Sequence, residues 1–197
     1  MTTQNEPIAL LSQALDQIDE VLAGIREDQL DLPTPCRSWT VGQLMNHLVH
    51  DLSQYLKVAT GVQPDWTEPT PPVTQDRFVA FRKGAAELLD AWRAVGEPTG
   101  TITLPDIGEV PARFPIDQQI FEFTLHAWDL AKATGQPVDF KPELGQLALD
   151  WIRVVVPPEM RGPEGSGRLF GPEVQVAADA PLYDRLAAFC GREPQHV

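Results

Sequence analysis

Residues 121–135 read FEFTLHAWDLAKATG, from Phe121 to Gly135. Phe121, Phe123, Leu125, Trp128 and Leu130 crowd its middle, the composition of a buried helix, and Gly135 followed by Pro137 marks its end. Yet Glu122, His126 and Asp129 sit among these apolar side chains. An α-helix turns about 100° per residue, so Glu122 and His126 lie one turn apart on the same face, with Gln119 and Asp129 close to that line. Apolar residues border the line on both sides: Phe121, Leu125 and Trp128 on one, Phe123, Ala127 and Leu130 on the other. A solvated face is not bordered in this way. The polar stripe points inward, where charge is costly unless it is paired or bound to a metal.

Outward from this helix the periodicity is also helical. Ile8, Leu11, Leu15, Ile18 and Leu22 predict a first amphipathic helix ending near Gly24 to Glu27. LDLPTPCRSW then breaks, because Pro33 and Pro35 forbid regular helix. A second helix starts on a capping box, Thr40 with Gln43, and a staple of Trp39 and Leu44. It runs to Gly61 with Leu44, Leu48, Leu52 and Tyr55 as its apolar stripe, and His47 lies in that stripe, four residues before Asp51. GVQPDWTEPTPPV is a Pro-rich surface loop. The third helix is expected over about Thr74 to Val95, with Phe78, Phe81, Leu88 and Trp92 inward. Thr101–Leu104 and Glu109–Ala112 flank PDIG and read as a short β-hairpin. Phe114 to Thr134 is the fourth long helix.

Beyond it, Pro142 to Val156 reads as helix, a strand is expected around Glu173 to Ala177, and Leu182 to Cys190 forms a short last helix capped by Gly191. The fold class is mainly α: an up-and-down four-helix bundle with a small β-hairpin and a short C-terminal extension. The Pro-rich loop between helices two and three is long enough for a crossover. Residues 1–140 are expected to form the metal-binding bundle, and residues 141–197 a helical and irregular extension packed on the same domain.

The bulk numbers narrow the function classes. The chain has 197 residues, 43% of them hydrophobic, enough for a folded core. Its formal net charge of -13 argues against nucleic acid or anionic membrane as a partner. No basic, apolar leader opens the sequence, and no run approaches the ~18 apolar residues of a spanning helix, so a cytoplasmic protein is expected. There Cys36 and Cys190 stay reduced, and neither has a metal-finger spacing. A homodimer is compatible with the sequence and not decided by it.

A metal site needs at least three converging side chains. Glu122 and His126 supply two, and His47, inward on the second helix, is the best third. Two imidazoles and one carboxylate suit zinc with an open fourth position. They also suit iron(II), and nickel or manganese fit as well. A hydrogen-bonded core histidine and a buried Glu122–His126 ion pair are the alternatives at this point. His50, about 60° around the helix from His47, belongs at the rim, and Asp51 and Asp129 are supporting groups. Asp129 either orients a ligand imidazole or steadies the helix end through Lys132 or Arg113. His196 is read as inert, and Cys36, beside a helix start, as a packing residue.

These residues also carry a resemblance. PTPCRSWTVGQLMNHLV resembles the opening signature of a branch of the DinB-like superfamily, which includes the mycothiol-dependent maleylpyruvate isomerases. FEFTLHAWDLAKATG resembles its second signature, and APLYDRLAAFCGREP is similar to the ending of a metal-binding branch. The resemblance implies a four-helix bundle holding a divalent metal, usually zinc, on His47, Glu122 and His126. Many DinB relatives carry His at the position of Glu122; the carboxylate matches the isomerase side. The isomerases add a sizeable C-terminal domain, whereas about sixty residues follow the fourth helix here. A substrate-binding Arg from that domain is therefore not carried over to this chain, although Arg161 and Arg168 lie in the corresponding part of it.

The resemblance implies a metal-assisted transferase or isomerase using a small-molecule thiol such as mycothiol and an electrophilic substrate, for example an activated alkene or epoxide. The metal ligands are then the only protein groups in the chemistry. A zinc hydrolase, with Asp51 or Asp129 as base, ranks lower because HExxH is absent. A metal- or thiol-binding sensor without turnover is the rival of a different class.

Overall fold

The structure is a computed structural model that describes residues 6–72, 76–104, 108–163, 166–168 and 170–194. Its elements are α1 (Glu6–Ala23), α2 (Val41–Ala59), α3 (Arg77–Val95), β1 (Thr101–Leu104), β2 (Gly108–Pro111), α4 (Phe114–Thr134), α5 (Pro142–Val155) and α6 (Leu182–Phe189). The fold is mainly α with a two-stranded antiparallel hairpin, Thr101 facing Pro111 and Leu104 facing Gly108. Four expectations fall wholly or partly outside the described residues: the end of the Pro-rich loop, the first residues of α3, the PDIG turn and His196.

Local chemistry sets the boundaries. Thr40 and Gln43 form the reciprocal capping box that opens α2, with Gln43 Oε1 2.9 Å from the Thr40 N–H. Asp76 caps α3 by accepting from the Phe78 and Val79 N–H groups, so the helix begins at Arg77. Pro115 sits in the first turn of α4, and Gly135 closes it in the left-handed region at φ 68°. No strand forms over residues 173–177. Among the described residues they pair with no strand, and the Val174 N–H donates instead to the Ala188 carbonyl at the end of α6.

In the bundle α1 packs on α3 and α4, and α2 packs on the same two helices. The pairings give directions. Asn46 meets Arg77 and Leu52 meets Gly84, so α2 and α3 run parallel. His47 meets His126 and Tyr55 meets Phe123, so α2 and α4 run antiparallel. Val21, near the end of α1, accepts a hydrogen bond from Gln136 just past α4, while Glu6 acts on Arg113 at the opposite ends. α1 and α4 are therefore parallel. The order is up, down, down, up, not the simple alternation expected. The Pro-rich loop makes the crossover, since two parallel neighbours need a connection that returns along their length.

α4 is the central element, with 15 of its 21 residues buried, more than one bundle core can cover. Ile116, Ile120, Phe123, Ala127 and Leu130 face α1, α2 and α3. Phe121, Leu125 and Trp128 face a second cluster made with Leu149 and Ile152 of α5 and Tyr183, Leu186 and Ala187 of α6. Each large apolar side chain so buried contributes roughly 1.5–3 kcal/mol. Two cores on one helix explain why its apolar residues run all round, leaving only a narrow polar stripe. Among the described residues no helix is long and apolar enough to cross a membrane.

Candidate metal centre

The polar stripe of α4 meets α2 where His47 faces it. The capping box fixes where α2 starts and sets Trp39 just before it. The Trp39 ring stacks on His47 with centroids 4.2 Å apart and planes at 20°. Thr34 Oγ1 lies 2.8 Å from the Trp39 carbonyl and 2.7 Å from that of Cys36, which holds this loop in place. The His47 and His126 rings stand edge to face at 5.5 Å.

One donor atom each from His47, Glu122 and His126 lie within 4.8 Å of one another. His126 Nε2 and Glu122 Oε2 are 3.3 Å apart. Two ligands at about 2.0–2.2 Å from a tetrahedral ion stand about 3.3–3.5 Å apart. The α4 pair already has that spacing, and the His47 donor must close by at most about 1.5 Å, within the reach of side-chain rotation. The donor set thus fits a divalent cation. The three side chains differ in access: His126 is 4% exposed, His47 17% and Glu122 24%, so the approach from solvent is on the His47–Glu122 side.

Surrounding groups fix these donors. Asp129, wholly buried, places Oδ2 3.0 Å from His126 Nδ1, which leaves Nε2 directed at Glu122. Burial alone lowers the His126 pKa, but hydrogen bonds to Asp129 and Glu122 overcome it and push the imidazole up to about 10. Burial works to raise Glu122, yet the hydrogen bond and charge of His126 hold it below its usual value. Burial, with the His126 charge nearby, lowers His47 to about 4. Asp51 Oδ2 is 3.2 Å from His47 Nε2, and burial together with the Glu122 charge pushes its carboxyl up to about 8. It stands beside the three donors and outside their cluster. His50 is half-buried, its Nε2 3.4 Å from Gln54 Nε2, and is not among them either.

Asp129 has a partner that sequence reading missed. Arg192, 8% exposed, sends Nη2 to Asp129 Oδ2 at 3.0 Å and Nε to Oδ1 at 3.3 Å. The two residues considered instead are committed elsewhere. Arg113 forks Asp117 at 2.7 Å, and Lys132 lies 5.5 Å over the Trp128 ring. Same-helix neighbours are the easy guess from sequence; a cation 63 residues away is not. The one local signal is an Arg directly after the Gly191 helix cap, which does not by itself name its partner. Arg161 lies 4.1 Å over the Phe189 ring and Arg168 is exposed, so neither joins the donors. Two surface hollows, of about 550 Å³ between α4 and α5 and about 330 Å³ beside Tyr183, contain none of the donor residues.

The comparisons with known proteins fit this architecture. Two proteins of Mycobacterium tuberculosis, both described as uncharacterized, are each 37% identical over 188 residues, covering 95% of this chain and 98% of theirs. A crystal structure of the mycothiol-dependent maleylpyruvate isomerase is similar in fold, with a TM-score of 0.50 and 17% identity over 79% of this chain and 68% of that one. The family model of the mycothiol maleylpyruvate isomerase N-terminal domain matches residues 11–131, a span that ends inside α4 and holds all three donors. By that match over more than half its length, the chain belongs to the mycothiol maleylpyruvate isomerase N-terminal domain family.

Proposed function

We propose that His47, Glu122 and His126 hold a divalent cation, zinc by preference, and that the protein is a transferase or isomerase acting through a small-molecule thiol of the mycothiol type. The observation that carries the reading is the convergence of two imidazoles and one carboxylate from two helices within 4.8 Å. Membership of a family named for a mycothiol-dependent isomerase supports the choice of thiol. A cation at this position supplies a lowered thiol pKa, and with it a nucleophilic thiolate near neutral pH.

The chain's own residues do the rest. Asp129 keeps the Nδ1 proton of His126 and leaves Nε2 as the donor. Trp39 holds the plane of the His47 ring by stacking. Asp51 Oδ2, 3.2 Å from His47 Nε2, is a carboxylate beside the donors that, when ionised, can accept the proton a thiol gives up. Glu122 and His47, the more exposed pair, mark the side from which thiol and electrophile approach.

The test is metal analysis followed by cobalt substitution and titration with mycothiol or a simpler thiol. Stoichiometric metal and a thiol-dependent change in the cobalt spectrum are expected. A site that binds metal but ignores thiol would leave the hydrolase or the non-catalytic module standing in its place.

A further inference from the structure

Asp129 is the one buried carboxylate on α4 whose position decides how His126 is aimed, and a carboxylate alone can rotate. Its Oδ2 is shared between His126 Nδ1 and Arg192 Nη2, both at 3.0 Å, while Oδ1 faces Arg192 Nε. A guanidinium fork on two oxygens fixes the carboxylate plane as a point charge does not. Arg192 is fixed in turn. Its Nη1 donates to the Cys190 carbonyl at 3.1 Å. Its backbone N–H donates to Ala187 O and that of Gly191 to Ala188 O, the paired bonds of a Schellman turn. Gly191 makes this turn at φ 84°, with Gly171 so close that a Cβ would come within 2.8 Å of its Cα. Next in the chain, Glu193 accepts from Arg37 at 2.7 Å, in the loop that carries Trp39.

We infer that Arg192 is a positioning residue for the donor cluster: delivered by the turn after α6, it locks the Asp129 carboxylate that aims the His126 imidazole. The segment beyond the bundle thereby completes the site. The affinity half of the test rests on the ligand reading given above; the spectroscopic half does not.

The experiment compares wild type with Arg192→Ala and Arg192→Lys, and with Asp129→Asn as a reference. In chelator-treated protein, the His126 Nδ1–H resonance is assigned by its loss in His126→Gln, and its exchange with water is measured. Wild type should show a protected signal. Arg192→Ala should lose it or exchange it at least about tenfold faster, with Arg192→Lys intermediate because an ammonium cannot fork. Zinc affinity by chelator competition should fall about 10–100-fold in Arg192→Ala. It should fall no further when Arg192→Ala is added to Asp129→Asn.

Folding is checked by the amide spectrum. If the alanine variant does not fold, the lysine variant decides. A folded variant with unchanged exchange overturns the inference, as does a lysine variant identical to wild type in both readouts, or additive losses with Asp129→Asn. If wild type binds no zinc, the ligand reading fails, and the exchange data alone decide the role of Arg192.

Discussion

Removing Asp129 and Arg192 singly and together separates a stabilising ion pair from two independent contacts. The Asp129 side chain is 0% exposed and that of Arg192 9%, so truncating either leaves the other as a buried charge without its counter-ion. Truncating one partner of such a pair costs about 3–5 kcal/mol. For a chain of this length that lowers Tm by about 2–4 °C per kcal/mol, or about 6–20 °C for Asp129→Ala. Arg192→Met should cost a similar amount, because Asp129 then keeps only His126. The double variant removes both charges and leaves one unmet donor, His126 Nδ1, a loss of about 1–3 kcal/mol. It should therefore be no less stable than either single variant. Urea unfolding in excess chelator, followed by far-UV circular dichroism, gives the three values. Independent contacts would add to about 6–10 kcal/mol; a double variant near that sum refutes the pairing.

Three further outcomes follow from the site. Glu122→Ala and His126→Ala should each abolish stoichiometric metal by elemental analysis, and full retention in both would place the ligands elsewhere. Burial pushes the Cys190 thiol up to about 12, whereas Cys36 is half-buried, so a disulfide reagent at pH 8 should titrate one thiol in the native protein and two in denaturant. The folded pKa of His126 is about 10 against an ordinary 6.5, and that of Asp51 about 8 against 3.8. Both lie above their unfolded values, so both contributions decline as pH rises, and the urea midpoint of chelator-treated protein should fall between pH 6 and pH 9. A midpoint that rises over that range contradicts the assignment.

Sequence reading worked where one local rule dominates. The capping box of Thr40 and Gln43 and the Pro115 and Gly135 boundaries of α4 are short-range features, and their elements form where periodicity puts them. The polar stripe on α4 was legible because its apolar borders excluded a solvated face. That both borders are buried, one in the bundle and one against α5 and α6, is a tertiary fact that periodicity cannot assign to a partner. The helix order escaped for a related reason: a long loop permits a crossover without requiring one. Residues 173–177 have strand-like composition but pair with no strand among the described residues. Arg192 was invisible because the need was written at Asp129 and the answer 63 residues later.

Because α4 serves as the wall between two packed clusters, parting it from either one is costly. Lifting α5 and α6 away would bare Phe121, Leu125 and Trp128 and strip Trp128 Nε1 of its bond to Asp184. Losing α2 would bare Phe123 and Ala127 on the opposite side. Amide hydrogens at the centre of α4 should thus exchange only through global unfolding, and partial cleavage products that keep one cluster should not persist. Rigidity of that kind suits a helix that carries Glu122 and His126 a single turn apart.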